Sequence, residues 1–267
     1  MLDSLPQPLR RQLKSGAELA QSQLARARRR PQQRLTTTVA ALDRALGGGL
    51  PRGGTVELVG WRSSGRFSTV LAALAAATRV GEAAALVDLG DHLDPRTAES
   101  AGVSLERLLW LRPKHLRDAL KSTEMLLDSG FPLVVLELGD PPLGRRGAES
   151  FWLRLVRAAE ARDAALLVSS PYRISGTGAD AVMEMRRLRP AWGSSGGPRL
   201  LQGLEARLSL TKRRGVHGGE TERLTLRAPE APMPPVAPTA HRPSQDGAQA
   251  SPPRPRTASF PALVATG

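Results

Sequence analysis

The stretch TVELVG (55–60) followed by Trp61-Arg62-Ser63-Ser64-Gly65-Arg66-Phe67-Ser68 decides the fold of this chain. It places a short apolar run, a turn bounded by Gly60 and Gly65, and then a helical stretch near 68–80 in direct succession. That is where a phosphate-cradling loop belongs, because the glycines let successive backbone N–H groups face an anion at the start of the helix. The full pattern, G-x-x-x-x-G-K-[ST], also needs a lysine for the β- and γ-phosphates and a hydroxyl for Mg²⁺. Both glycines stand here, but Arg66 holds the lysine position and Phe67 the hydroxyl position. The planar fork of arginine does not replace an ammonium conservatively. A phenyl ring cannot bind a cation, and Ser68 comes one residue late, about 100° further round the helix. Gly60, Ser63, Ser64, Gly65, Arg66 and Ser68 are thus candidate remnants of a nucleotide site in which backbone N–H groups could still make an anion nest.

Downstream of the loop, short apolar runs alternate with helical stretches. AAALVDLG (83–90), LERLLWL (105–111), PLVVLELG (132–139) and AALLVSS (164–170) read as strands, and helices are expected from Pro95, near 114–129 and near 148–162. The runs are continuously apolar rather than alternating, the mark of a parallel sheet covered on both faces by crossover helices. Asp94-Pro95 supplies an N-cap acceptor followed by proline in the first turn, so Asp94 reads as structural. The fold class is therefore α/β, with a mostly parallel sheet between helices.

At the margins the pattern differs. Residues 1–30 place Leu5, Leu9, Leu13, Ala17, Ala20 and Leu24 on one helical stripe, an amphipathic N-terminal helix whose leucines are candidate partner-binding residues. Residues 173–200 are rich in Gly, Ser and Arg and read as a long surface loop with room for a short strand. GLEARLSLTKR (203–213) and ETERLTLR (220–227) read as a closing hairpin. Ten prolines between 229 and 261 imply a disordered tail over 228–267, in which Phe260 and Leu263 belong to the one apolar cluster and could dock on a partner's groove. The expected organisation is an N-terminal helix (1–30), a core domain (31–227) and a tail (228–267).

Thirty-eight Lys and Arg against 25 Asp and Glu give a net charge of +13, and lysine occurs only at positions 14, 114, 121 and 212. A field this positive attracts polyanions, and Arg173, Arg186, Arg187, Arg189, Lys212, Arg213 and Arg214 are the candidate DNA contacts. There is no cysteine, which excludes disulfides, thiolate zinc sites and cysteine nucleophiles. The four histidines lie far apart without metal-ligand spacing, so no metal site is expected. The N-terminus lacks an apolar signal region and no stretch nears the roughly 20 apolar residues of a membrane span, so a cytoplasmic protein is expected.

The run LTTTVAALDRALGGGLPRGG through AAALVDLGDHLDPRTAESAGV to PLVVLELG resembles bacterial RecA in order, spacing and wording over about residues 35–227. The resemblance implies a RecA-like ATPase core and brings Glu137, at the end of LVVLE, into the nucleotide site as the acid that would hold Mg²⁺ through water. It also marks departures. Gly90 stands where the family's catalytic glutamate follows its strand, with Asp91 displaced by one residue, and Ser170-Pro171 stands at the nucleotide-sensing glutamine. The segment between Glu137 and AALLVSS is abbreviated relative to RecA, and the proline-rich tail begins where RecA's C-terminal domain starts. Within the family the chain looks like the ImuA-type accessory proteins of mutagenic translesion synthesis. This implies a chain that is not an enzyme, has no cofactor beyond weakly bound ATP, and works with RecA, an ImuB-like Y-family pseudo-polymerase, an error-prone DnaE-type polymerase and DNA. The alternatives are a working ATPase or recombinase using Arg66, Ser68 and Asp91, and a SulA-like inhibitor of cell division.

Overall fold

The computed structural model describes residues 33–139, 149–193, 200–213 and 219–227, all within one unit, Met1–Ala231. The N-terminal stripe with Leu5, Leu9, Leu13 and Leu24, Arg214, and the tail with Phe260 and Leu263 lie outside the described residues.

A small antiparallel ribbon, β1 (Arg34–Leu35) with β2 (Leu50–Pro51), encloses α1 (Ala40–Leu46). The main sheet has eight strands in the order β10-β9-β8-β3-β7-β6-β4-β5. Its parallel part is β3 (Gly54–Val59), β7 (Ala165–Ser170), β6 (Leu133–Glu137), β4 (Ala84–Asp88) and β5 (Leu108–Leu111), joined to β8 (Ala181–Trp192) on the other side of β3. β9 (Leu201–Arg213) and β10 (Thr221–Arg227) then continue it antiparallel. The crossovers are α2 (Arg66–Arg79), α3 (Pro95–Ser100), α4 (Leu116–Asp128) and α5 (Glu149–Arg162).

Every side chain of β4, β6 and β7 is buried because helices cover both faces, and the strand period of two splits each run between two cores. Leu86, Leu133, Val135 and Leu167 face the core built on α1, α2 and α3. Val87, Val134, Leu136 and Val168 face the core built on α4 and α5. α4 buries Ala119, Leu120, Thr123, Leu126 and Leu127, a stripe at steps of one, three and four that gives one apolar face. Truncating a fully buried leucine of these strands to Ala costs about 2–5 kcal/mol. The α3 N-terminus is as the sequence indicates: the Asp94 carboxylate accepts from the Thr97 N–H at 2.8 Å, with Pro95 in the first turn.

One expectation is corrected in kind. The segment 173–200 is not chiefly a loop, since β8 runs for 12 residues through Arg186, Arg187 and Arg189, and the expected hairpin of β9 and β10 pairs against it. The polar residues of β8 hid its period because only its first third, Ala181–Glu184, lies against β3. Met185 is still buried, but from Arg186 to Pro190 every residue of β8 is exposed.

Candidate functional site

The glycine-bounded loop leaves the C-terminal end of β3, where the sheet turns from crossover connections on one side to β8 on the other, the position at which open α/β sheets place ligands. Gly60 donates its N–H to the Ser170 carbonyl at 3.0 Å, tying the loop to β7. Ser63 has φ 56° and Gly65 φ 90°, a left-handed turn that delivers the chain into α2. A Cβ at Gly65 would stand 2.1 Å from a methyl of Leu226, so β10 presses on the loop from outside. Ser64 is buried and its hydroxyl has no hydrogen-bond partner.

Arg66 does not reach outward. Its side chain is almost fully buried, and one terminal nitrogen donates to Glu137 Oε1 at 2.8 Å and to Ser169 Oγ at 2.9 Å, while the other donates to the Gly139 carbonyl at 3.2 Å. The fork that a lysine lacks is what makes three acceptors reachable at once. Glu137 is wholly buried, also accepts the Gly139 N–H at 3.0 Å on Oε1, and leaves Oε2 without a partner. His92 Nδ1 lies 3.7 Å from the same carboxylate, and its ring meets Phe67 edge-on with centroids 5.8 Å apart. Phe67 is half-buried against the α1–α3 core, and Ser68 is exposed on the far side of α2. There it lines a cleft of about 520 Å³ with Arg44, Leu71, Thr97, Leu226 and Arg227.

The other carboxylates are engaged in holding backbone. Asp88, buried at the end of β4, accepts from the N–H groups of His92 and Leu93 at 3.1 and 2.9 Å and from Trp110 Nε1 at 3.2 Å. Asp91 is exposed and takes both nitrogens of Arg112 at 2.6 and 2.7 Å, and that guanidinium holds its carboxyl below the usual range. A Cβ on Gly90 would lie 2.6 Å from the Gly139 Cα, so the backbone packing there admits no side chain without movement. Sequence reasoning missed Glu57. This wholly buried acid in β3 accepts from the N–H groups of Ile174 and Ser175, at 2.6 and 3.3 Å, and from the Ser175 hydroxyl, pinning the segment after β7. A lone glutamate inside the apolar run TVELV was the available signal.

The expected DNA contacts are dispersed. Arg173 donates to the Gly176 carbonyl at 3.2 Å. Lys212 donates to the carbonyls of Thr177 and Ala179, both at 2.8 Å, and Arg213 turns to the Leu46 carbonyl at 3.4 Å. Arg186 and Arg189 share one face of the extended β8–β9 ladder, while Arg187, opposite Ala206, is on the other.

A mostly parallel sheet between helices, with a glycine-bounded loop at the end of β3, defines an α/β protein with a loop of the phosphate-cradling kind. Residues 11–138 match the family described as the RecA N-terminal domain. The chain is 43% identical over 111 residues to Protein RecA of Clavibacter michiganensis subsp. michiganensis, covering 41% of this chain and 31% of that one. It is 36% identical over 138 residues to Protein RecA of Streptomyces venezuelae, covering 51% and 36%. The chain thus spans about a third of the length of these curated relatives. The crystal structure of the RadB recombinase superposes with a TM-score of 0.55 at 18% identity, covering 71% of this chain and 94% of that one, and shows the shared fold. Sequence and fold together support a RecA-like family. These relatives overturn the expectation that the chain is not an enzyme: its likeness is to proteins named RecA, an ATPase enzyme family.

Proposed function

We propose that this chain is a RecA-related accessory protein of DNA-damage-induced mutagenic translesion synthesis, working in the cytoplasm with RecA, an ImuB-like Y-family pseudo-polymerase, a DnaE-type polymerase and DNA. The observation that carries this reading is Arg66 turned onto Glu137 and Ser169 at the heart of an otherwise RecA-like core. The cation that would meet a phosphate is committed to the protein's own acid, while the outer surfaces available for docking keep the RecA-like framework. Any ATP would be held weakly, by the N–H groups around Ser63, Ser64 and Gly65. Affinity capture with the full chain from DNA-damaged cells tests the role. Recovery of the pseudo-polymerase or the DnaE-type polymerase is expected, and recovery of none of the three protein partners overturns it.

A second reading, an ATP-dependent RecA-like ATPase or recombinase, is favoured by the identity to RecA. The residues fit a nucleotide in part: loop N–H groups and the free Oε2 of Glu137 suit phosphate and a hydrated cation, whereas Phe67 supplies no oxygen. DNA-stimulated phosphate release that disappears in Arg66→Ala would establish this reading, and no release above background would remove it.

A further inference from the structure

The β8–β9–β10 register brings three arginines into one row. Arg186 lies directly opposite Arg207, and Arg207 directly opposite Arg223, so adjacent strands carry like charges side by side across the sheet. Neighbouring strands are about 4.8 Å apart, and like charges at directly opposed positions destabilise a sheet. Nothing in the fold requires this arrangement, since all three are exposed and Thr or Val would serve a solvent-facing strand better.

The same face carries Arg189 opposite Glu205 in the next row, Arg227 opposite Gly203 beyond it, Thr225 between the two arginines of β10 and Thr221 ahead of them. Its two carboxylates are already held, Glu184 by Arg186 and Glu205 by Arg189, each at 2.8 Å. The Glu205 carboxyl is held below its usual range chiefly by the Arg189 hydrogen bond, with Arg223 adding its field, which fits a guanidinium on the same face. No helix among the described residues covers this face. α1 packs on the opposite one, against Leu208, Leu210 and Leu224. At the open end stands Trp192, 49% exposed and opposite Leu201.

We infer that this face is a binding surface for single-stranded nucleic acid, with the row Arg186–Arg207–Arg223 taking the phosphodiester backbone and Trp192 offering its ring to a base. Rows of guanidinium groups favour a polyanion, because each phosphate relieves the repulsion between them. The exposed indole favours a nucleic acid over an acidic protein, since stacking on an aromatic ring suits any base. This inference rests on the DNA-binding part of the proposed function and names the surface responsible. It places Arg207, Arg223 and Arg227 beside two of the arginines expected from the sequence and leaves Arg187 on the other face.

The test uses the full chain, a fluorescent oligo-dT strand at low and moderate salt, and the variants Arg207→Thr with Arg223→Thr, Trp192→Ala, and Arg117→Ala on the distant α4. The double variant is expected to lose at least tenfold in affinity and to lower the salt slope by about 1.4, at roughly 0.7 per phosphate contact. Its melting temperature without DNA should hold or rise, because the opposed charges are gone. Trp192→Ala should bind several-fold more weakly, and Arg117→Ala like the wild type. Equal binding by the wild type and the double variant would overturn this surface while leaving DNA binding itself intact. A double variant that melts lower would show that the row is structural and overturn the inference too. A wild type that binds no oligo-dT at low salt, or that binds an acidic polypeptide more tightly, would remove the DNA-binding reading as well.

Discussion

At the scale of single residues the core of this molecule turns on Arg66 and Glu137. A buried ion pair contributes little relative to a well-packed apolar pair, but removing one member strands the other. Glu137→Ala should therefore lower unfolding stability by about 3–5 kcal/mol in urea titrations, and Arg66→Met combined with Glu137→Leu should recover most of that loss. Equal destabilisation by the single and double variants would show that the pair is not the source. Restoring an acid at Gly90 is expected to harm the fold: Gly90→Glu forces a Cβ against the Gly139 backbone and should cost about 1–3 kcal/mol, read as a lower melting temperature. A variant as stable as the parent would mean that the strand ends at β4 and β6 separate easily.

At the scale of elements the buried Glu57 shows how one side chain sets a connection. It satisfies two backbone N–H groups and a hydroxyl of the 174–175 segment, which otherwise has no ladder to join. Glu57→Ala should free that segment before the sheet opens, so limited proteolysis between β7 and β8 should accelerate while the far-ultraviolet circular dichroism is kept. Unchanged cleavage would assign the anchoring to other contacts. α3 depends on its cap in the same way, and Asp94→Asn should be milder than Asp94→Ala because both Asp and Asn cap well.

At the scale of the whole molecule, charge dominates. Asp91, Asp94, Glu124, Glu205 and Glu222 are all held below their ordinary values, by Arg112, Thr97, Arg154, Arg189 and Arg44 respectively. A carboxyl whose folded value is depressed contributes stability that is present above its unfolded value and lost as pH falls through the folded one. The unfolding midpoint should thus hold near neutral pH and drop below about pH 4, where unfolded carboxyls take up protons. Added salt should shrink the drop, because these pairs are solvent-exposed. A midpoint independent of pH between 6 and 3 would show that the pairs contribute nothing.

The sequence by itself determined the α/β class, the strand–loop–helix around Gly60 and Gly65, the Asp94 cap and the β9–β10 hairpin. Each is written in local spacing: apolar runs of strand length, glycines where a turn needs them, a capping acid before proline. It also marked Arg66, Phe67 and Gly90 as departures from RecA, because a substitution inside a motif is visible without coordinates. Only the tertiary structure decided where these residues point. The fork of Arg66 meets Glu137 and Ser169 from strands 71 and 103 positions away, and Glu57 finds its partners 117 and 118 positions on. The row Arg186–Arg207–Arg223 exists only once the register of β8, β9 and β10 is fixed, since a shift of one residue would send each arginine to the opposite face. Local propensity sets the elements, but which side chains meet across a sheet follows from strand order and register, which spacing along the chain does not encode.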